Sequence, residues 1–186
     1  MRRTIMISGI CLLAAAVVLS WLHLRTMRFD FLISQAAARH GIDFYLAKSL
    51  IYEESWFRPE SRGPAGELGL MQITRAAAAD FAAKTGFPEH RAEQLIEPGL
   101  NVEIGCWYLR NSLEHYKDSP HPVLFALLRY NAGESRANNW LRLALASPPP
   151  PGVSPEQHYL SLVDYKKTRA YVTRILKRYR SRNFLF

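Results

Sequence analysis

The sequence predicts an all-α protein, with one helical domain behind a single N-terminal membrane helix. Apolar residues recur at helical spacing through most of the chain, and no run alternates as a half-buried strand would. Residues 5–24 contain no Lys, Arg, Asp or Glu. With 186 residues, of which 48% are hydrophobic, the chain is long enough to bury one sizeable core. This composition excludes a disordered tail protein.

The apolar run at residues 5–24 is the first predicted element. About 20 residues of α-helix rise about 30 Å, which matches the thickness of a bilayer core. Arg2 and Arg3 precede the run, as in a signal peptide or a signal anchor. Small residues at 14–16 resemble a cleavage site, but the apolar run continues beyond them. We therefore expect residues 1–28 to form an uncleaved single span, with a cleaved signal peptide as the alternative.

Capping and helix-breaking residues divide the rest of the chain into helices. Asp43 and Thr74 can accept hydrogen bonds from the free N–H groups of a first turn, and Pro98 suits the same place. Glycine ends helices because it adopts left-handed backbone conformations without strain, as expected at Gly41, Gly86 and Gly133. The predicted helices are Phe31–Arg39, Phe44–Ser55, a helix from Thr74 through Ala83, Pro98–Tyr116, Pro122–Tyr130, Ser135–Leu145 and Asp164–Arg180.

Two connections are marked by proline and glycine. The loop at residues 59–69 contains two prolines and three glycines. Four consecutive prolines, Pro148–Pro151, predict a stiff extended segment within an insertion at 147–155. The last helix carries a stripe of residues that we expect to face the core, namely Tyr165, Thr168, Val172, Ile175, Leu176 and Tyr179.

The formal net charge of +8 arises from basic residues at the two ends of the chain. Residues 1–28 carry four basic and no acidic residues, and residues 164–186 carry eight basic residues against one acidic residue. Residues 29–163 hold more acidic than basic residues. Nucleic-acid binding is not expected, because no recognised motif accompanies the basic last helix. Anionic membrane or cell-wall polymers are better candidates for its partner.

Neither a disulfide scaffold nor a metal centre is expected. Two cysteines are too few for a disulfide-rich framework or a four-cysteine zinc site. Cys11 falls in the apolar run, where it serves as an apolar filler, and Cys106 lies too far along the chain to pair with it. The spacing of the other candidate ligands does not match a zinc site. We expect no metal and no cofactor.

The predicted helix Phe44–Ser55 carries a carboxyl group on its apolar face. At about 100° per residue, Glu54 falls near the middle of the apolar arc and Glu53 falls at its edge. Burial raises the pKa of a carboxyl group, and an acid still protonated near neutral pH can donate a proton to a leaving oxygen. The alternative is that the helix end frays and leaves Glu54 in solvent. The arc consists of Leu46, Ala47, Leu50 and Ile51.

Two further segments carry groups suited to sugars. Gly63–Gln72 is a glycine-rich loop whose glycines permit close approach of a ligand, and Gln72 offers both donors and acceptors. Tyr130-Asn131-Ala132-Gly133 ends a predicted helix and could hydrogen-bond a sugar, or could equally be a helix cap with Asn131 and Gly133 in the left-handed conformation. Taken alone, each segment is explained by local structure.

Taken together and in this order, three segments resemble the motif set of soluble lytic transglycosylase (SLT) domains, in the goose-type lysozyme-like superfamily. They are Glu54-Ser55, Gly69-Leu70-Met71-Gln72 and Tyr130-Asn131-Ala132-Gly133. The resemblance covers residues 32–181 and extends to Pro59, Gly66, Asn101, Gly105, Tyr108, Leu109, Trp140 and residues 168–172.

The resemblance implies an all-α, lysozyme-like domain over residues 29–186, with a long groove for peptidoglycan glycan strands. Glu54 would protonate the oxygen between N-acetylmuramic acid and N-acetylglucosamine. It would then deprotonate the muramoyl 6-hydroxyl, which closes a 1,6-anhydro ring. This scheme needs one carboxylate, unlike most glycosidases. The positions that line or support the family's groove correspond to Ser55, Met71, Gln72, Tyr130, Asn131 and Tyr171.

The chain departs from the family pattern at several positions. Arg129 stands where the family usually has Ala, Gly63 where it often has Ser, Glu67 where it has Ala, and Lys167 where it often has Glu. The Lys167 change removes an acid near the expected groove. None of these departures affects Glu54.

Two alternative functions remain open at this stage. One is a lysozyme-type muramidase, in which water attacks with help from a second acid. The other is a non-catalytic glycan-binding component of a wall-spanning assembly. The expected partners are peptidoglycan, the membrane through residues 1–28, and possible secretion or cell-wall assembly proteins. The expected location is the inner membrane with the domain facing the periplasm, or secretion if the segment is cleaved.

Overall fold

The computed structural model describes the backbone of residues 2–88 and 92–184, and the side chains of residues 11–88 and 93–184. Within these ranges the prediction of an all-α protein is confirmed. The helices are α1 (Arg2–Met27), α2 (Asp30–His40), α3 (Phe44–Ser55), α4 (Arg75–Thr85), a 3-10 helix (Ala92–Ile96), α5 (Pro98–His115), α6 (Pro122–Ala132), α7 (Glu134–Ala146), α8 (Pro155–Ser161) and α9 (Lys166–Ser181).

The predicted caps form where the sequence places them. The Asp43 carboxylate accepts hydrogen bonds from the N–H groups of Tyr45 (2.7 Å) and Leu46 (3.2 Å). Thr74 Oγ1 accepts from the Ala77 N–H at 3.1 Å. Gly41 ends α2 in the left-handed conformation. These local contacts explain why the boundaries of α2, α3 and α4 were predictable from sequence.

Two short helices were missed. The 3-10 helix Ala92–Ile96 lies between α4 and α5, and α8 follows the proline-rich segment. The sequence did contain a signal for α8. Ser154 Oγ accepts from the Gln157 N–H at 3.2 Å, and Pro155 occupies the first helical turn.

Tyr165 was wrongly assigned to the buried stripe of the last helix. The helix α9 begins at Lys166, so Tyr165 is its extended N-cap residue and is 48% exposed. Because Tyr165 precedes the helical turns, helical periodicity does not apply to its side chain. The buried residues of α9 are Thr168, Tyr171, Val172, Ile175 and Leu176.

The described segment Cys11–His40, which begins within α1, is long and apolar enough to cross a membrane, judged by length and composition alone. The 26 residues of α1 rise about 39 Å. Large apolar side chains along it are open to the surroundings, including Leu12 at 72% and Leu13 at 68% exposure. Cys11 on this helix is exposed and Cys106 is buried, and both are free thiols.

Four of the remaining described helices pack against α5, and α9 packs against α3, α6 and α8. The helix α5 contacts α2, α4, α6 and the 3-10 helix, whereas α3 contacts α2 and α9. The core contains fully buried apolar side chains from α3, α5, α6 and α9, for example Leu50, Leu109, Leu127 and Ile175. Hydrophobic burial on both α3 and α9 places the end of α3 beside the middle of α9. That contact forms one wall of the candidate site.

Candidate active site

Glu54 lies in the last turn of α3, on the face that packs into the core. The apolar arc predicted from periodicity is buried, because Leu46, Ala47, Leu50 and Ile51 are all at most 2% exposed. Glu54 itself remains partly exposed toward a cleft of about 410 Å³. Burial of its carboxyl group raises the pKa from 4.5 to about 7 because the charged form loses hydration, and the charges of Glu53 and Glu67 act in the same direction.

Tyr171 on α9 forms a hydrogen bond with the Glu54 carboxyl group. The Tyr171 hydroxyl donates a hydrogen bond to Glu54 Oε1, which partly offsets the effect of burial on the carboxyl pKa. Burial and the negative charge of Glu54 raise the pKa of Tyr171 well above 10, so the phenol keeps its proton. This residue was predicted as a groove residue, and the structure places it directly on Glu54.

Glu53 lies in a different environment from its neighbour. Its Oε1 accepts a hydrogen bond from Arg174 Nε at 2.7 Å, and its Oε2 is 3.7 Å from Arg178 Nη1. Arg178 also stacks over the Tyr52 ring, 3.6 Å from the centroid. The Glu53 carboxylate therefore forms ion pairs with Arg174 and Arg178 of α9, whereas the Glu54 carboxyl group pairs with neither arginine.

Asn101 on α5 holds the loop that carries Gly69–Gln72. Its Oδ1 accepts from the Met71 N–H at 2.7 Å, and its Nδ2 donates to the carbonyls of Leu68 (2.8 Å) and Leu95 (2.6 Å). Asn101 is fully buried, so these bonds satisfy a side chain that would otherwise be costly to bury. A Cβ on Gly69 would lie 2.2 Å from Asn101 Nδ2, which explains the need for glycine there.

Met71 supports the loop and is fully buried. It packs against α5 at Gly105, where a Cβ would lie 2.3 Å from Met71 Sδ. The Met71 carbonyl accepts a hydrogen bond from the Tyr130 hydroxyl at 2.9 Å. The side chain thus has a packing role, and the backbone joins the loop to α6.

Gln72 lines the same cleft as Glu54. Its backbone has φ +48°, a conformation that turns the chain sharply at this point. Its Nε2 donates to the carbonyls of Gly69 (2.9 Å) and Ser61 (3.2 Å), so the amide is held by the loop. Two of the three predicted motifs therefore meet at one cleft.

Tyr130, Asn131 and Ser55 are not in the lining of this cleft, and each lies in a different environment. Tyr130 is half-buried, and burial and the charge of Glu54 raise the pKa of its phenol well above 10. Asn131 is exposed in the last turn of α6, and Gly133 has φ +84° and ψ 162°. The left-handed cap considered for Asn131 and Gly133 does not form. Ser55 is buried, and its hydroxyl donates to the Ile51 carbonyl at 3.1 Å.

Sequence reasoning missed the polar residues on the loop after α3. The cleft is also lined by Arg58, Glu60, Ser61 and Arg62. Their position directly after Glu54-Ser55 was the available signal, because the loop that leaves α3 must pass near the end of that helix, where Glu54 lies. Lys167, at the position where the family often has Glu, is exposed at the start of α9. Among the described residues no cluster of three or more His, Cys, Asp and Glu side chains could hold a metal ion.

The chain is similar in sequence to proteins described as lytic murein transglycosylases. The chain is 32% identical over 126 residues to "Membrane-bound lytic murein transglycosylase F" of Desulfosudis oleivorans, covering 66% of this chain and 26% of the relative. It is 27% identical over 160 residues to "Soluble lytic murein transglycosylase" of Salmonella typhimurium, covering 84% and 23%. The chain thus spans about a quarter of the length of these relatives.

Solved structures share the fold. The chain superposes on an inactive mutant of lytic transglycosylase Slt from Pseudomonas aeruginosa with a TM-score of 0.70 at 24% identity, covering 82% of this chain and 23% of that one. The 70 kDa soluble lytic transglycosylase of Escherichia coli gives a TM-score of 0.67 at 24% identity, covering 84% and 25%. Residues 31–148 match the family model described as "Transglycosylase SLT domain". That match spans more than half of the chain, and the chain therefore belongs to the transglycosylase SLT domain family.

Proposed function

We propose that this protein is a membrane-anchored peptidoglycan lytic transglycosylase in which Glu54 acts first as general acid and then as general base. The observation that carries the proposal is the Glu54 carboxyl group, which has a pKa of about 7, contacts Tyr171 and opens onto a cleft shared with Gln72. A group with a pKa near the working pH can both give and take a proton.

In the first step, the protonated Glu54 donates its proton to the glycosidic oxygen between N-acetylmuramic acid and N-acetylglucosamine. Because burial raises the pKa of this carboxyl group to about 7, the protonated form that this step needs is present near neutral pH. The bond from C1 to that oxygen breaks, the electron pair leaves with the oxygen, and the substrate's own N-acetyl oxygen stabilises the positive charge left at C1. The Tyr171 hydroxyl then stabilises the carboxylate that remains.

In the second step, the Glu54 carboxylate removes the proton of the muramoyl 6-hydroxyl. The 6-oxygen forms a bond to C1, which closes the 1,6-anhydro ring and returns Glu54 to its protonated state. No water molecule is consumed, so one carboxylate is sufficient. This differs from hydrolysis, in which a second group must activate water.

The other site residues divide into two groups by exposure. Gln72 lines the cleft and Asn131 is exposed, so we assign these two to direct contact with the glycan. Ser55, Met71 and Tyr171 are buried, and Tyr130 bonds the Met71 carbonyl. We assign these four to holding Glu54 and the loop in place, because buried hydrogen-bonded side chains fix geometry.

Residues 1–28 form the proposed anchor and residues 29–186 the catalytic domain. The length and exposed apolar side chains of α1 support a membrane-inserting segment, and we propose that it stays uncleaved because the apolar run continues past the small residues at 14–16. A relative described as membrane-bound supports the same arrangement, although a soluble relative matches as well. Since peptidoglycan lies outside the cytoplasm, the catalytic domain would face the periplasm.

Analysis of the products tests the reaction directly. We expect the full chain in detergent to release fragments with 1,6-anhydromuramoyl ends from purified peptidoglycan, as measured by mass spectrometry. Glu54→Gln should release none, whereas Glu53→Gln should retain activity. Fragments with reducing ends would instead identify a muramidase. Binding to glycan strands without cleavage would identify a binding module.

The muramidase alternative has one observation in its favour. Glu60 is a second carboxylate in the lining of the cleft, and a second acid is what water activation requires. A Glu60→Gln variant separates the two reactions. A transglycosylase should lose little activity, whereas a muramidase that uses Glu60 as its base should lose most of it.

A further inference from the structure

We propose that the junction between α1 and the catalytic domain binds the phosphate headgroup of an anionic phospholipid. The site is a cavity of about 570 Å³. It shares only Arg58 and Glu60, on the loop after α3, with the lining of the catalytic cleft. This inference rests on the membrane placement of α1 proposed above. The cavity is lined by Trp21, Leu24, Arg25, Arg28, Phe57, Arg58, Pro59 and Glu60.

Arg25 is held in place, and one of its buried nitrogens, Nη2, is left without a partner among the described residues. Its guanidinium group lies over the Trp56 ring, 4.0 Å from the centroid, and its Nε donates to the Trp56 carbonyl at 3.0 Å. The Trp21 ring lies 5.2 Å from the same guanidinium carbon. Arg25 Nη2 is buried and has no hydrogen-bond partner in the part of the chain that the structure describes. Most buried donors in proteins are hydrogen-bonded, so Arg25 Nη2 is available to an acceptor supplied by a ligand.

Two further arginines line the cavity beside Arg25. Among residues 11–88 and 93–184, no carboxylate forms an ion pair with Arg25, Arg28 or Arg58. Glu60 is the one acidic residue in the lining, which leaves an excess of positive charge. Guanidinium groups bind phosphate oxygens with two parallel hydrogen bonds, so three of them suit a phosphodiester.

The apolar part of the lining indicates a lipid rather than a free phosphate. Trp21 and Leu24 are 54% and 68% exposed, and they stand in the last turns of α1, where the charge-free run of residues 5–24 ends. In a membrane helix this is the level of the headgroups, where tryptophan and arginine are favoured. Acyl chains could cover Leu24 while the phosphate contacts the arginines.

The C-terminal end of the chain adds positive charge to the same end of the molecule. A second cavity joins His23 and Met27 of α1 to Arg182 and Phe184. Arg182 lies over the Tyr45 ring at 4.5 Å and is exposed. The two basic ends of the sequence thus meet beside the end of α1. Such a surface favours anionic over zwitterionic lipids.

Arg58 and Glu60 line both this cavity and the catalytic cleft. A bound headgroup would therefore contact the loop that forms one wall of the cleft. Trp56, which stacks on Arg25, is the second residue after Glu54. Headgroup binding would thus set the height and orientation of the cleft relative to the membrane.

Lipid titration of the full chain in neutral detergent tests the proposal. Dioctanoyl phosphatidylglycerol and dioctanoyl phosphatidylcholine are each added while tryptophan fluorescence is followed, since Trp21 and Trp56 flank Arg25. We expect phosphatidylglycerol to bind at least about tenfold more tightly than phosphatidylcholine. Arg25→Gln and, separately, Arg28→Gln should each weaken that binding about tenfold.

Matched controls keep the test independent of folding and of catalysis. Arg142→Gln removes the same charge from an exposed position on α7 and should change binding by less than about twofold. Arg28 is exposed, so Arg28→Gln should fold even if Arg25→Gln does not. Glu54→Gln should bind phosphatidylglycerol like the wild type, which separates this site from the proposed activity.

Three outcomes would overturn the proposal. Equal binding of the two lipids would show that the site does not select an anionic headgroup. Equal weakening by Arg28→Gln and Arg142→Gln would show that binding depends only on the total charge of the protein. Displacement of the lipid by glycerol 1-phosphate with the same affinity would show that the site takes a soluble phosphate and makes no use of the apolar lining.

Discussion

Glu53 and Glu54 are neighbours in the last turn of α3, yet their carboxyl groups lie in two different environments. Glu53 faces Arg174 and Arg178 of α9, so its charge is compensated. Glu54 faces the core and the Tyr171 hydroxyl, so its charged form is disfavoured and its pKa rises to about 7. The comparison shows that a step of one residue along a helix is enough to give two neighbouring carboxyl groups different electrostatic environments.

The largest difference between the two residues should appear in catalysis. Glu54→Gln cannot donate or accept the proton, so we expect the release of anhydromuropeptides to fall by at least about 10³-fold. Glu53→Gln should remain within about fivefold of the wild type, because its carboxylate only pairs with α9. Initial rates on purified peptidoglycan measure both. The reverse pattern would assign the catalytic role to Glu53.

Removing the Tyr171 hydroxyl should change the pH profile. Tyr171→Phe deletes the hydrogen bond that lowers the Glu54 pKa, so the pKa should rise above about 7. The alkaline limb of kcat/KM, which reports loss of the catalytic proton, should move to higher pH, with a rate loss of about tenfold. Tyr165→Phe, on an exposed ring at the start of α9, is the control and should leave the limb unchanged.

Stability should respond to Glu54 in the opposite direction from activity. The folded pKa of about 7 lies above the ordinary value of 4.5, so the protein loses stability as pH rises from about 4.5 to 7. Glu54→Gln removes this loss. We expect the variant to be more stable than the wild type by about 3 kcal/mol at about pH 8 and nearly equal below about pH 4. Chemical denaturation in detergent at the two pH values measures this, and equal stabilities at the higher pH would contradict the raised pKa.

Glu53 should give the smallest effect and one of opposite sign. Glu53→Gln leaves Arg174 and the poorly exposed Arg178 without a carboxylate. Because Arg174 is largely exposed, we expect a loss of only about 1 kcal/mol at neutral pH, reduced by added salt. The same denaturation experiment measures it. A stabilised Glu53→Gln variant would show that the ion pairs do not offset the burial of the carboxylate.

Much of the fold could be predicted because its signals are local. Asp43 and Thr74 bond to N–H groups two or three residues ahead, so the start of α3 and of α4 can be inferred from neighbouring residues. Tyr165 was misassigned because the start of α9 has no side-chain cap to mark it. The insertion at 147–155 and the domain limits at residue 28 stay predictions.

The sequence by itself determined which glutamate faces the core, since that depends only on the spacing of apolar residues along one helix. It also determined the order of the three motifs. Only the tertiary structure decided what surrounds Glu54. Tyr171 lies 117 residues away in the chain, and Arg174 is 121 residues from Glu53. These contacts arise because α3 and α9 bury their apolar faces against each other, and no local pattern encodes the rotation at which two helices meet.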